Sequence, residues 1–205
     1  MSDIVAVIDF ETTGLSPQQG ARATEIAAVI VENGVVVDRY QSLMNAGARI
    51  PRDIESLTGI TNAMIRAAPA ADAVMHAVAD FVGDYPLVAH NAAFDSKFWD
   101  AELLRLRRTR SQNFICTLLL ARRVFPQAPN HRLETLIRHL GLQVTGQFHR
   151  ALADAEMTAA LLVCLREEFC RRHKFTVAPL SLFSRVQKLP LKNIDAFVAA
   201  EKRGL

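Results

Sequence analysis

Residues 4–8 read Ile-Val-Ala-Val-Ile and run directly into Asp9-Phe10-Glu11. A short apolar run rich in β-branched residues is the pattern of a strand covered on both faces, so it demands a sheet with helices packed on each side. Side chains alternate along a strand, which places Asp9 and Glu11 on the face of Val5 and Val7. Two carboxylates that continue a buried apolar face repel each other and lose hydration. They persist there when protonated, paired or bound to a cation; otherwise they are two solvated acids past the strand's end.

The rest of the chain supplies the sheet and its cover. Residues 24–31 and 35–43 read as strands joined by Asn33-Gly34, a two-residue hairpin signal. Residues 44–69 are mixed, with turn signals at Ile50-Pro51 and Thr58-Gly59. Residues 70–82 have helical spacing, 86–89 form a short strand, 94–107 a helix, and 113–116 a fifth short strand. Helices follow at 118–125, 133–140 and 151–172, with Gly141 and Gly146 marking the connection before the last. A meander followed by alternating strands and helices predicts an α/β fold with a five-stranded mixed sheet flanked by helices. At 205 residues with 50% apolar and 22% charged residues, the chain suits one globular core rather than a disordered or fibrous chain. There is no apolar run of about 20 residues to cross a membrane. The polar start lacks a signal peptide's pattern. Cys116, Cys164 and Cys170 form no CxxC, so disulfide scaffolds and zinc ribbons are not indicated and a reducing cytoplasm is the expected setting.

Two further acidic positions stand out. In Leu87-Val88-Ala89-His90-Asn91-Ala92-Ala93-Phe94-Asp95 a strand ends, a small polar turn follows, and Asp95 lies near a helix start. Capping alone accounts for an acid there. In His149-Arg150-Ala151-Leu152-Ala153-Asp154, helical spacing puts Asp154 on one stripe with Thr158, Leu161 and Leu165, either facing the core or at the stripe's solvent end. His149 precedes that helix and can approach from the loop. Each of these positions has an ordinary structural explanation by itself. Their conjunction, in this order, is much harder to explain that way.

Asp9-Phe10-Glu11-Thr12-Thr13-Gly14-Leu15, then His90-Asn91-Ala92-Ala93-Phe94-Asp95, then His149 with Asp154 resemble the three motifs of the DEDDh (DnaQ-like) 3′–5′ exonucleases. Glu25-Ile26, Leu57-Thr58-Gly59-Ile60-Thr61 and Leu133-Glu134-Thr135-Leu136 support the likeness. It runs from about residue 4 to residue 170. Within the family it leans toward the proofreading epsilon subunits of bacterial DNA polymerase III, with ribonuclease T and oligoribonuclease as relatives. Thr58 departs from the pattern, since many members carry histidine before Gly-Ile-Thr; this bears on a substrate contact, not on the chemistry.

The resemblance implies a ribonuclease H-like fold in an exonuclease domain at 1–173, followed by a tail at 174–205. It implies that Asp9, Glu11, Asp95 and Asp154 hold two divalent ions, Mg²⁺ or Mn²⁺, as hard oxygen ligands suit. It makes His149 the general base, an imidazole being largely neutral near pH 7. Residues matching Thr12, Thr13, Leu15, Asn91 and Phe94 then surround the terminal nucleotide, although helical spacing to Phe98 also suits Phe94 as a core residue. The expected reaction is hydrolysis of the terminal phosphodiester at single-stranded or frayed DNA 3′ ends to nucleoside 5′-monophosphates, in proofreading or repair. RNA 3′-end trimming and a non-catalytic polymerase-docking module are the alternatives.

Charge is unevenly spread. Residues 1–100 carry 6 Lys and Arg against 13 Asp and Glu, while residues 101–205 carry 18 against 8. An acidic half that gathers cations beside a basic half that gathers phosphates fits a nucleic-acid partner, with Arg105, Arg107, Arg108, Arg110, Arg122, Arg123 and Arg132 as candidate contacts. The tail carries Pro179, Pro190, apolar Leu180, Leu182, Phe183, Leu189 and Leu191, and an amphipathic stretch at 194–200. It either packs back on its own domain or binds a partner such as a polymerase subunit.

Overall fold

A computed structural model describes residues 3–203. Its strands are β1 (Ile4–Thr12), β2 (Ala23–Glu32), β3 (Val35–Leu43), β4 (Leu87–Ala89) and β5 (Phe114–Cys116). Its α-helices are α1 (Arg52–Thr58), α2 (Asn62–Ala67), α3 (Ala71–Val82), α4 (Ala92–Arg105), α5 (Thr117–Val124), α6 (Leu133–His139), α7 (Ala151–His173), α8 (Leu180–Val186) and α9 (Ile194–Arg203). The strands make one sheet in the order β3-β2-β1-β4-β5. β1 is antiparallel to β2, and β2 to β3, whereas β1–β4 and β4–β5 are parallel, so the sheet is mixed.

Asn33 and Gly34 turn the β2–β3 hairpin with φ of 50° and 86°. Positive φ at both central residues gives a turn whose twist matches that of the strands, which is why Asn-Gly signals it.

β1 is buried on both faces. Val5 and Val7 join Leu120 of α5 and Leu161 and Leu165 of α7 in one core. Ala6, Ile8 and Phe10 join Val78 of α3 and Phe98 and Trp99 of α4 in the other. Phe10 meets Trp99 edge-on at 6.3 Å between ring centroids, an arrangement the ring quadrupoles favour. Among the described residues no helix is long and apolar enough to cross a membrane.

Residues 44–69, read above as a mixed segment, contain α1 and α2. These helices have seven and six residues, too short for a periodic apolar stripe to show. They close over a small core of Ile50, Ile60 and Ile65. The Asn62 side chain accepts from Ile50 N at 2.9 Å and donates to Ile50 O at 3.0 Å, pairing as a strand neighbour would. Thr58 is turned inward, 2% exposed, with its hydroxyl donating to Ile54 O and accepting from Ile60 N.

α8 and α9 lie against the α7 side of the molecule, where Leu182, Phe183, Val186, Ile194 and Val198 are buried. The C-terminal segment also satisfies the free edge of β5. Gln187 accepts from Cys116 N at 2.6 Å and donates to Phe114 O at 3.0 Å, so one buried side chain stands in for a missing strand. Gln187→Ala leaves a buried N–H without a partner, and the expected cost is about 2–3 kcal/mol of unfolding free energy. Urea unfolding measures it; a loss under about 0.5 kcal/mol would show that the edge needs no cap.

Candidate active site

β1 carries its apolar alternation to Ile8, and at the next two positions on the Val5–Val7 face it places Asp9 and Glu11. Between Glu11 and Thr12 the pairing with β2 shifts by a bulge, a device that ends regular pairing and re-aims side chains at a strand's end. Asp95 comes from the first turn of α4. The preceding residue pair is set by Asn91, whose φ of 66° turns the chain from β4 into α4. Asp95 is 2% exposed and accepts the backbone N–H of Phe10 at 3.3 Å. It therefore reaches across to β1 instead of capping its own helix, and it sits beside Asp9. Asp154 lies one turn into α7 on the buried stripe with Thr158, Leu161 and Leu165.

Four acids thus converge at the carboxyl ends of β1 and β4. Burial pushes Asp9 well above the usual carboxylate range, and the charges of Asp95, Asp154, Glu11 and Glu25 add to it. Burial, then Asp154 and Glu25, pushes Glu11 up to about 8. Burial pushes Asp95 up to about 8 and Asp154 up to about 6. Protons are one way to relieve such a cluster, and cations are the other.

Asp154 decides how well the residues fit a cation. Its Oδ2 accepts the His149 N–H at 3.0 Å. Its Oδ1 is buried with no hydrogen-bond partner among the described residues. A carboxylate oxygen left so is costly unless something positive meets it. Ligand atoms of Glu11, His149 and Asp154 lie within 4.8 Å of one another. The donor set is oxygen-rich, as hard divalent cations prefer. His149 stands on the rim, exposed, with a left-handed backbone at φ 63°.

A groove of about 850 Å³ opens from this cluster. His149 and Asp154 line one end, and Arg122, Asn130, Arg132 and Phe148 extend it. Its far wall is tied down by His90, whose ring bridges Thr117 Oγ1 and the His131 carbonyl, both at 2.9 Å. Burial drives the His90 pKa down to about 4, so the ring is a neutral strut.

The other five expected contacts are spread along the cleft. Asn91 lines the groove. Phe94 is half-buried and packs on Phe98 at 4.9 Å. Thr12 donates its hydroxyl to Gly14 O at 2.7 Å, and Thr13 Oγ1 accepts from Arg22 N at 3.0 Å, so both hydroxyls hold the turn that presents Leu15. Leu15 is 81% exposed, an apolar side chain facing solvent beside a polar cluster. Two groups had no assigned role in the sequence reading. Glu25, fully buried, stands opposite Glu11 on β2 and is bound by Arg150. Its sequence signals are an acid inside the strand at 24–31 and its place in Glu25-Ile26, one of the segments that carry the family likeness.

A mixed five-stranded sheet with helices on both faces and an acid cluster at the strand ends defines a nuclease of ribonuclease H-like architecture. The chain belongs to the exonuclease family typified by ribonuclease T, whose pattern its residues 6–162 match, and within it to the DEDDh, DnaQ-like type. It is 37% identical over 163 residues to the DNA polymerase III subunit epsilon of Aquifex aeolicus, a match that covers 79% of this chain and 80% of that protein. It is 42% identical over 158 residues to the PolC-type DNA polymerase III of Bacillus cereus, covering 77% of this chain but 11% of that protein. The chain therefore spans about a tenth of the PolC-type relatives it matches. Exonuclease X in complex with 5′ overhanging duplex DNA has the same fold at a TM-score of 0.69 and 28% identity, over 88% of this chain and 99% of that one. The nuclease domain of 3′hExo, a DEDDh family member bound to rAMP, matches in fold at 0.70 and 22% identity, over 82% and 94%. The family match ends inside α7, so α8 and α9 lie beyond it.

Proposed function

We propose that this protein is a 3′–5′ exonuclease that removes nucleoside 5′-monophosphates from single-stranded or frayed DNA ends, in proofreading or repair in the cytoplasm. The observation that carries this reading is the meeting of Asp9, Glu11, Asp95 and Asp154 at the strand ends, with an unpartnered Asp154 oxygen and His149 on the rim.

Asp9, Glu11 and Asp154 would hold one divalent cation, Mg²⁺ or Mn²⁺, and Asp95 with Asp9 a second. Bound there, the cations supply charge neutralisation and Lewis acidity at the phosphate. His149, exposed and within reach of the Glu11 and Asp154 carboxylates, takes the proton from the attacking water as its oxygen bonds to phosphorus. The bond from phosphorus to the 3′-oxygen breaks, and that oxygen leaves on the shortened strand as a hydroxyl after gaining a proton from solvent.

Thr12, Thr13 and Leu15 on the turn after β1, with Asn91 and Phe94 at the α4 start, would surround the terminal nucleotide. Leu15 and Phe94 offer apolar contact to an unpaired base, which favours a frayed end over a paired one. Arg122 and Arg132 make no ion pair among the described residues and flank the groove that leads away from His149, so they would receive the phosphates of the remaining strand. A docking role for the C-terminal segment has less to offer a partner, since Leu182 and Phe183 are buried and Leu180 and Leu189 half-buried; Leu191 alone of that set is exposed.

Incubating end-labelled single-stranded DNA and RNA of matched sequence with Mg²⁺ or Mn²⁺ tests the reading. The expected result is stepwise mononucleotide release from the 3′ end, faster on DNA. Release from the 5′ end, or none with either metal, would overturn it, and faster release from RNA would move the assignment to RNA trimming.

A further inference from the structure

We propose that Glu25 and Arg150 are positioning residues: their ion pair fixes the start of α7 and thereby sets where His149 stands relative to the carboxylates. The inference rests on the exonuclease reading above and adds to it a pair that does not touch the reacting atoms.

Glu25 is 1% exposed and sits in the β1–β2 ladder directly opposite Glu11. Its oxygens accept from Arg150 Nε at 3.2 Å, Arg150 Nη2 at 2.9 Å, Ala151 N at 3.1 Å and Gln41 Nε2 at 2.7 Å. Four donors from two segments, the start of α7 and β3, converge on one buried carboxylate carried by an interior strand, which makes it a rigid anchor. The forked geometry of guanidinium on carboxylate fixes direction as well as distance. The bond to Glu25 also strengthens the hold of Arg150 on its proton.

Arg150 is one peptide away from His149, and its carbonyl accepts the N–H of Asp154 at 3.0 Å. Asp154 in turn accepts the N–H of His149. Fastening Arg150 thus fastens both neighbours. The loop before it has few other ties. Residues 143–147 are exposed or nearly so, and His149 holds a left-handed backbone that favours other conformations when released. Thr145 Oγ1 donates to Ala153 O at 3.4 Å, and the half-buried Phe148 packs on the core with its ring under the Arg138 guanidinium at 5.9 Å; neither contact fixes the direction of the His149 backbone. A proton acceptor displaced by about 1 Å costs on the order of 10²-fold in rate, so a clamp at this point is worth more to turnover than to binding.

The test compares Arg150→Met, Arg150→Lys and the double variant Glu25→Gln/Arg150→Met in steady-state hydrolysis and in amide hydrogen exchange of the metal-free protein. Arg150→Met is expected to lower kcat by about 30–100-fold with KM for the DNA end within about twofold. Arg150→Lys, which keeps the charge but not the fork, should fall between. The double variant removes the unpaired buried charge, so its melting temperature should recover while kcat stays low. The His149 N–H, protected in the wild type, should exchange faster in Arg150→Met and in the double variant. A kcat within threefold of wild type in folded Arg150→Met, or wild-type kcat in the double variant, overturns the inference, because the pair would then act through stability or charge alone. If Arg150→Met does not fold, Arg150→Lys decides on the same readouts, with a kcat loss of about fivefold or more expected and an unchanged kcat overturning it. A wild-type protein that releases no nucleotide sinks the exonuclease reading instead; the exchange arm then decides the clamp, with unchanged His149 protection overturning it.

Discussion

His149→Asn should lower turnover by about 10²–10⁴-fold while leaving the fold and the affinity for divalent cations nearly intact. Loss of a general base typically costs that much. Asparagine is the informative replacement because the backbone at His149 has φ of 63°, a region asparagine tolerates and where its amide cannot take up a proton. The His149 side chain is exposed, so its removal opens no cavity. The bond that the residue gives to Asp154 comes from its backbone N–H and survives the substitution. Steady-state kinetics at saturating Mg²⁺, with calorimetric titration of the cation, checks both halves. A variant that keeps turnover within threefold would assign the base elsewhere. One that loses cation binding along with turnover would make His149 a ligand.

Much of this site was legible because charge in an apolar setting is conspicuous. Asp9 and Glu11 interrupt a strand whose face is otherwise Val5 and Val7, and Asp154 shares a stripe with Leu161 and Leu165 that is buried. Asp95 was equally readable as a helix cap. Only the fold brings its carboxylate to accept from the Phe10 N–H, 85 residues away. The Arg150–Glu25 pair spans 125 residues and leaves no periodic trace in either segment. The same physics governs the fold. The ladder of β1, β2 and β3 follows from apolar runs rich in β-branched residues and one Asn-Gly turn. The short helices α1 and α2 do not, because two turns of helix leave too few positions to define a face and their stability comes from tertiary contacts. α8 is hidden for the same reason, and its contact through Gln187 with the β5 edge is a pairing of side chain with backbone that no pattern announces.

The acid cluster should make the metal-free protein less stable as pH rises, and divalent cations should reverse that trend. Glu11 and Asp95, at about 8 in the fold against ordinary carboxyl values, keep protons in the folded chain that the unfolded chain has already released. The folded state then binds more protons, so unfolding free energy falls with rising pH until the folded pKa is passed. Asp154, at about 6, contributes between about 4 and 6. His90 acts in the opposite sense: burial holds it near 4, so its contribution is lost as pH drops below about 6.5. His173, also lowered by burial, has the same sign. Between pH 6.5 and 8 the carboxylates therefore act with little opposition, and a loss on the order of 2 kcal/mol is expected for the metal-free protein. A cation that takes the place of those protons stabilises the fold by about 2.7 kcal/mol at 100 times its dissociation constant, and more strongly at the higher pH. Thermal melts in EDTA and in Mg²⁺ at pH 6.5 and 8 measure both effects. Asp154→Asn separates them, since it removes a buried charge with one unpartnered oxygen and a ligand together: its metal-free melting temperature at pH 8 should exceed that of the wild type, and the increment from Mg²⁺ should shrink. A wild-type melting temperature in EDTA that does not change across this window would mean that the carboxylates are hydrated and apart, and the case for a cation site would fail with it.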